Sequence, residues 1–224
     1  MTSSSLRPRR FDLVVFDWDG TLFDSTALIT QSIQSACRDL GEPVPGDREA
    51  AFVIGLGLRE ALERAVPTLD PARYPQLVER YRAHYLQRQG ALTLFPGVLA
   101  LLHTLRARHH WLAVATGKSR RGLDEALAST ALAGLFDGSR TADETFSKPH
   151  PRMLEELMRE FGVEPGRTLM IGDTTHDLQL AANAGTPSLA VAYGAHEADA
   201  FDAHAPLFTA HSVDALGDWL LAHA

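Results

Sequence analysis

The sequence predicts an α/β fold: a doubly wound parallel sheet, a Rossmann-like core, with an inserted helical domain. Short apolar runs recur along the chain, and the strongest end in an acid or a hydroxyl. Helical patterns separate the later runs, and alternating strand and helix is the signature of a doubly wound sheet. The interval 18–110 breaks this alternation, because it is far longer than one crossover helix needs.

Residues 11–17 (FDLVVFD) form the first run, and 111–116 (WLAVAT), 168–173 (TLMIGD) and 188–192 (SLAVA) repeat its character. A weaker run lies near 135–141. Such runs read as strands of a parallel sheet covered on both faces. Helical spacing marks 97–107, 119–130, 151–161 and 175–184. Within the long interval, Ile29, Ile33, Ala36, Cys37 and Leu40 share one helical face, and Tyr74, Leu77, Val78, Tyr81 and Tyr85 share another. Breakers at 41–46, 55–57, 67–71 and 95–97 punctuate the stretch. The expected division is a core of residues 1–25 and 94–224 and a helical cap of residues 26–93.

Composition narrows the function. The 224 residues are 45% hydrophobic and 22% charged, as in ordinary globular proteins, with a formal charge of −7. An acidic balance argues against nucleic acid or an anionic membrane as the main partner. No apolar run approaches the ~20 residues that span a bilayer. The Ser- and Arg-rich start superficially fits a transit peptide but reads better as a frayed tail. One cysteine, Cys37, cannot form an internal disulfide. These features lead to the expectation of a cytoplasmic protein.

The polar residues at the strand ends carry the chemistry. Asp17 and Asp19 close the first run, and residues two apart in extended chain point the same way. Two carboxylates 4 Å apart repel by ~4 kcal/mol at an effective dielectric of 20, so their pairing invites a positive partner. Thr116, Gly117 and Lys118 follow the second strong run, Lys148 lies in SKPHP, and Asp173 and Asp177 lie in GDTTHD. Sites in open α/β sheets form outside the carboxyl ends of the strands, where all these groups would meet. The four aspartates and Lys148 sum to −3, which repels a phosphate dianion unless a divalent cation enters. Oxygen-only ligands suit Mg²⁺ better than zinc.

FDWDGTLFDS, ATGKS, SKPHP and GDTTHD, in that order, resemble the four motifs of the haloacid dehalogenase-like superfamily. The inserted helices resemble its phosphoglycolate phosphatase-like branch. The resemblance implies an Mg²⁺-dependent phosphatase acting on a small phosphorylated metabolite, phosphoglycolate being a guess at family level. It implies Asp17 as nucleophile and Asp19 as general acid and then base. Thr116 and Lys148 would hold the transferring phosphoryl group, with Gly117 beside them. Asp17, the backbone carbonyl of Asp19, and Asp173 would bind the metal, with Asp177 in support. A phosphomutase of the same fold and a catalytically silent regulatory or binding module are the rivals. A dehalogenase needs no Mg²⁺ and lacks the acid at Asp19. Monomer and homodimer both remain open.

Several residues have two readings. Lys118 and Lys148 are the only lysines among 21 basic residues, and both sit in motifs. A compact ammonium fits a crowded phosphate site better than a planar guanidinium, which accounts for Lys148. Lys118 is either a solvated residue at a helix start or a rim residue meeting cap or substrate. Gly55 and Gly57 would let a cap segment close over the site. Arg59 could then bind a second anionic group of the substrate, or simply be exposed. Cys37 and the tyrosines at 74, 81 and 85 read as cap core. Ser25 and Thr26 read as helix caps. His109 and His110 read as exposed, and His176 as exposed or at the site edge. His196, His204 and His211 lack metal-ligand spacing.

Overall fold

The computed structural model describes residues 9–128 and 131–224. Residues 1–8 of the expected ten-residue tail, and the last two residues of the expected helix 119–130, lie outside the described residues.

The apolar runs form strands β1 (Leu13–Phe16), β2 (Trp111–Thr116), β3 (Gly138–Thr141), β4 (Thr168–Gly172) and β5 (Ser188–Val191). A two-residue strand, β6 (Thr209–Ala210), completes a sheet of order β3-β2-β1-β4-β5-β6 in which every pairing is parallel. β6 is too short to leave a hydropathy signal. Successive side chains alternate between the faces of a sheet. Val14 and Phe16 therefore join one core cluster, with Leu102 and Leu105 of α5 (Val98–Ala107), Leu123 of α6 (Arg120–Ala128) and Leu220 of α9 (Val213–His223). Leu13 and Val15 join another, with Leu154 and Leu157 of α7 (Arg152–Phe161) and Leu180 of α8 (Thr175–Ala184). Both faces are covered, which explains why these strands are continuously apolar.

Between β1 and β2 stand α1 (Thr26–Leu40), α2 (Asp47–Phe52), α3 (Leu58–Ala65) and α4 (Tyr74–Arg88). They bury a cluster of their own, containing Ile29, Ile33, Cys37, Leu62 and Leu77. The chain leaves and re-enters the sheet side by side. Asp24 N donates to Thr93 O at 3.1 Å, and Phe95 N to Leu22 O at 3.0 Å. Among the described residues, no helix is long and apolar enough to cross a membrane.

β1 is central, with β2 on one side and β4 on the other. Phe16 pairs with Val114 and Ile171. Continuing that register sets Asp17 level with Ala115 and Gly172, so Thr116 and Asp173 lie one step further along the neighbouring strands. Trp18 turns away into the core, 1% exposed and stacked on Phe23 at 4.9 Å.

Candidate active site

Three carboxylates meet at the carboxyl edge of β1 and β4. One oxygen each from Asp17, Asp173 and Asp177 lies within 4.8 Å of the others, and all three residues are buried. The Lys148 ammonium stands among them, donating to Asp17 Oδ1 at 2.5 Å and to Asp177 Oδ1 at 2.6 Å. Asp177 is aimed by its neighbours. Thr174 caps α8, and its hydroxyl and amide donate to Asp177 Oδ2 at 2.7 and 3.1 Å. This capping box is legible in the sequence as TTHD. Asp173 is aimed as firmly: Thr21 Oγ1 donates to its Oδ1 at 2.8 Å and Ala195 N to its Oδ2 at 2.7 Å. The loop after β1 can turn here because residue 20 is glycine. Gly20 has φ +82°, and a Cβ there would lie 2.1 Å from Asp173 Oδ2.

The electrostatics follow from three acids sharing one ammonium. Burial pushes the Asp17 carboxyl well above its ordinary range; Lys148 opposes this, and Asp177 and Asp173 add to it. Asp173 is pushed up to about 7, by burial first and then by Asp177. Burial works against the charge on Lys148, but Asp17 and Asp177 more than compensate and raise its pKa. The lysine keeps its proton, and the surplus negative charge falls on the acids. Among the described residues, Asp17 Oδ2 is buried with no hydrogen-bond partner. An orphan carboxylate oxygen beside two more acids fits a hard divalent cation.

Asp19 belongs to a different neighbourhood. Its Oδ1 accepts from Ser25 Oγ at 2.7 Å and lies 3.1 Å from Lys118 Nζ. Trp18 shares the core cluster of Val14 and Phe16, as alternation expects, while the Asp19 carboxylate stands outside the three-acid group and meets Ser25 and Lys118 instead. Ser25 stands at the N-cap of α1, but its hydroxyl is used by Asp19 and makes no capping bond. Thr116 is buried, and its Oγ1 accepts from Lys118 N at 3.2 Å. Gly117 lies directly under the inserted helices. A Cβ there would sit 2.3 Å from Leu56 O and 2.7 Å from Gly55 O, so only glycine allows this approach. Gly57 N donates to Ser147 Oγ at 2.9 Å, next to Lys148. Arg59 is not brought to this cluster: its side chain is 65% exposed on α3 and pairs with Glu63 at 2.8 Å.

Histidines form a second contact between the insert and the core. His176 Nε2 and His196 Nε2 lie 2.8 and 3.1 Å from the Phe52 carbonyl, and Phe52 stacks on His196 at 4.9 Å. His176, one residue before Asp177, is buried and not exposed. His110 is also buried, with Nδ1 2.9 Å from Phe11 O, against the expectation of a solvated side chain. Tyr85 packs against the cap core as expected, and its hydroxyl also accepts from Lys118 Nζ at 3.0 Å.

The pattern describing haloacid dehalogenase-like hydrolases matches residues 14–191, a span that contains all these acids and both lysines. The chain belongs to that family. A relative in Dickeya dadantii, named "Probable phosphatase IndB", is 36% identical over 200 residues, covering 87% of this chain and 86% of its own. A phosphoglycolate phosphatase of Synechococcus elongatus is 29% identical, with 93% and 91% covered. A solved structure described as a "predicted phosphoglycolate phosphatase", from Haemophilus somnus, superposes with a TM-score of 0.84 at 25% identity, covering 96% and 99%.

In this haloacid dehalogenase-like hydrolase, Lys148 is 1% exposed and its ammonium touches two carboxylates. A guanidinium is wider and planar, and cannot reproduce both contacts from one compact head. Displacement by ~1 Å in such a site costs ~10²-fold in rate. Lys148→Arg should therefore lower kcat/KM by about that factor although charge is preserved. Lys148→Ala should also lower the melting temperature, because it leaves buried carboxylates uncompensated. Near-wild-type kinetics for the arginine variant would show that charge alone suffices.

His196 supplies a pH prediction. Burial, then the neighbouring His176, lowers its pKa to about 4. An unfolded histidine titrates near ~6.5, so between those values the unfolded chain binds the extra proton. Stability should fall as pH drops through that window, by at most ~3 kcal/mol from this group. Melting temperatures from pH 7.5 to 4 test this: His196→Gln should flatten the slope relative to wild type, and an unchanged slope would remove His196 as its source.

Proposed function

We propose that this chain is an Mg²⁺-dependent phosphatase that hydrolyses a small phosphorylated metabolite through an aspartyl-phosphate on Asp17. The observation that carries the reading is the buried Asp17 carboxylate, with Lys148 fixed on Oδ1 and no partner on Oδ2. A carboxylate so held cannot rotate away and is dry, as a nucleophile toward phosphorus requires. The family membership and the phosphatase names of the relatives support the reaction class.

Each side chain then has a part. Asp17 attacks phosphorus as the bond to the leaving oxygen breaks, and Asp19 gives that oxygen a proton. Asp19 next takes a proton from the water that attacks the phosphoryl group, which restores Asp17. A second carboxyl two residues from the nucleophile serves both steps. Lys148 steadies Asp17 and the charge of the transferring group, and Thr116 and the Gly117 backbone face that group from β2. Asp17, Asp173 and the Asp19 backbone carbonyl would hold Mg²⁺, with Asp177 positioning Lys148 and supporting the set. Bound there, Mg²⁺ would supply charge neutralisation for the phosphoryl oxygens.

Residues 26–93 act in this proposal as a cap over the core of residues 1–25 and 94–224. The support is their separate hydrophobic cluster and the contacts of Gly55, Leu56 and Gly57 above the site. Arg59 binds substrate in this scheme only if it leaves Glu63, so the seated cap favours the groups nearer Asp19. We place the protein in the cytoplasm, as a monomer or homodimer. A phosphomutase would need a holder for a second phosphate, and Arg59 is turned away from that task.

Mg²⁺ should be required for hydrolysis of a generic aryl phosphate, and full activity after thorough chelation would contradict the charge argument. Binding should also show without catalysis. At a hundredfold excess over Kd, a ligand of the native state adds ~2.7 kcal/mol. For a chain of this size that is roughly 5 °C or more in melting temperature. Wild type should show this rise with Mg²⁺ and Asp173→Asn should lose most of it; an equal rise in both would move the metal elsewhere.

A further inference from the structure

Lys118 has no part in the scheme above, yet it is one of two lysines in a chain of arginines. It is not solvated. Its side chain is 13% exposed and its ammonium touches two groups. One is Asp19 Oδ1 at 3.1 Å, and the other is the Tyr85 hydroxyl at 3.0 Å. The ammonium also lies 5.0 Å from the centre of the Tyr85 ring, within the range where a ring face attracts a cation. Its own amide is tied to Thr116 Oγ1.

Two donors, Lys118 Nζ and Ser25 Oγ, converge on the same oxygen of Asp19. Together they fix the rotation of the carboxyl group about its Cβ–Cγ bond. One donor comes from the core loop after β2 and the other from the start of α1. Lys118 is in turn held by Tyr85 near the end of α4, on which Tyr81 stacks at 5.9 Å. The orientation of Asp19 is thus linked through one side chain to the seating of the inserted helices. Arginine would fill this post poorly, since its wide planar fork cannot serve both acceptors from a single compact head.

We propose that Lys118 is a positioning residue that aims the Asp19 carboxyl at the leaving group, and that Tyr85 makes this aim depend on the seated insert. The inference rests on the reading of Asp19 as the general acid. In that step the electrons of the breaking phosphorus–oxygen bond go to the leaving oxygen, which takes the Asp19 proton. A p-nitrophenolate leaves without that proton, and an alkoxide does not. A residue that aims the acid therefore matters for alkyl phosphates and little for p-nitrophenyl phosphate. A residue that only supports folding or phosphate binding affects both alike.

The experiment compares kcat/KM on p-nitrophenyl phosphate and on an alkyl phosphate, because this parameter reports the steps up to transfer onto Asp17. General acid catalysis is worth ~10²–10⁴-fold in full. Lys118→Met should lose roughly tenfold or more beyond its aryl loss when the substrate is the alkyl ester. Tyr85→Phe keeps the ring and removes the hydroxyl, and should shift the ratio the same way by less. Melting temperatures identify a variant that fails to fold, in which case Tyr85→Phe decides. Equal losses on both substrates, or no loss, would overturn the proposal. Asp19→Asn separates the two levels. If it does not favour the aryl ester, the acid role of Asp19 fails and Lys118 has nothing to aim. If it does while Lys118→Met and Tyr85→Phe do not, only the positioning role fails.

Discussion

The ammonium of Lys148, buried between Asp17 and Asp177, is the contact on which the rest of the site depends. Three acids cannot be drawn into the dry edge of a sheet without a cation among them. Lys148 arrives on the loop before α7, Asp17 on β1 and Asp177 on α8, so one side chain ties three parts of the core together. It does not finish the neutralisation. Asp17 and Asp173 remain pushed upward, and one Asp17 oxygen remains without a partner. The same imbalance that makes the site costly suits it to a divalent cation.

The surrounding fold supplies rigidity where the site needs it. Parallel strands deliver Asp17, Thr116 and Asp173 to one edge in fixed register, and both faces of the sheet are packed. Thr21, Thr174 and the Ala195 amide lock the acids that flank Asp17. The inserted helices approach from above through backbone groups. The Gly55 and Leu56 carbonyls lie on Gly117, and the Phe52 carbonyl meets two histidines.

The sheet was legible because its strands are buried on both faces and read as unbroken apolar runs. β6 escaped because two residues carry no period. The acids at 17, 173 and 177 were legible because each lies beyond a strand end or in the next helical turn, where spacing alone dictates direction. Asp19 was harder: its carboxyl goes to Ser25 and Lys118, partners that local spacing does not name. The parts played by Tyr85, His176 and His196 were hidden, because each depends on where the inserted helices settle against the core. No local pattern encodes that docking. Lys118 stood out only as a chemical oddity, and its partners became visible once α4 was in place.

The claim at the centre of this account is that Asp17 takes the phosphoryl group. It is tested most directly by a crystal structure of the protein grown with Mg²⁺ and beryllium fluoride, a mimic of a carboxylate-bound phosphoryl group. The account predicts a beryllium fluoride bonded to the Asp17 carboxylate, with Lys148 in contact with it. A fluoride adduct on another residue or on water, with Asp17 unmodified, would contradict it.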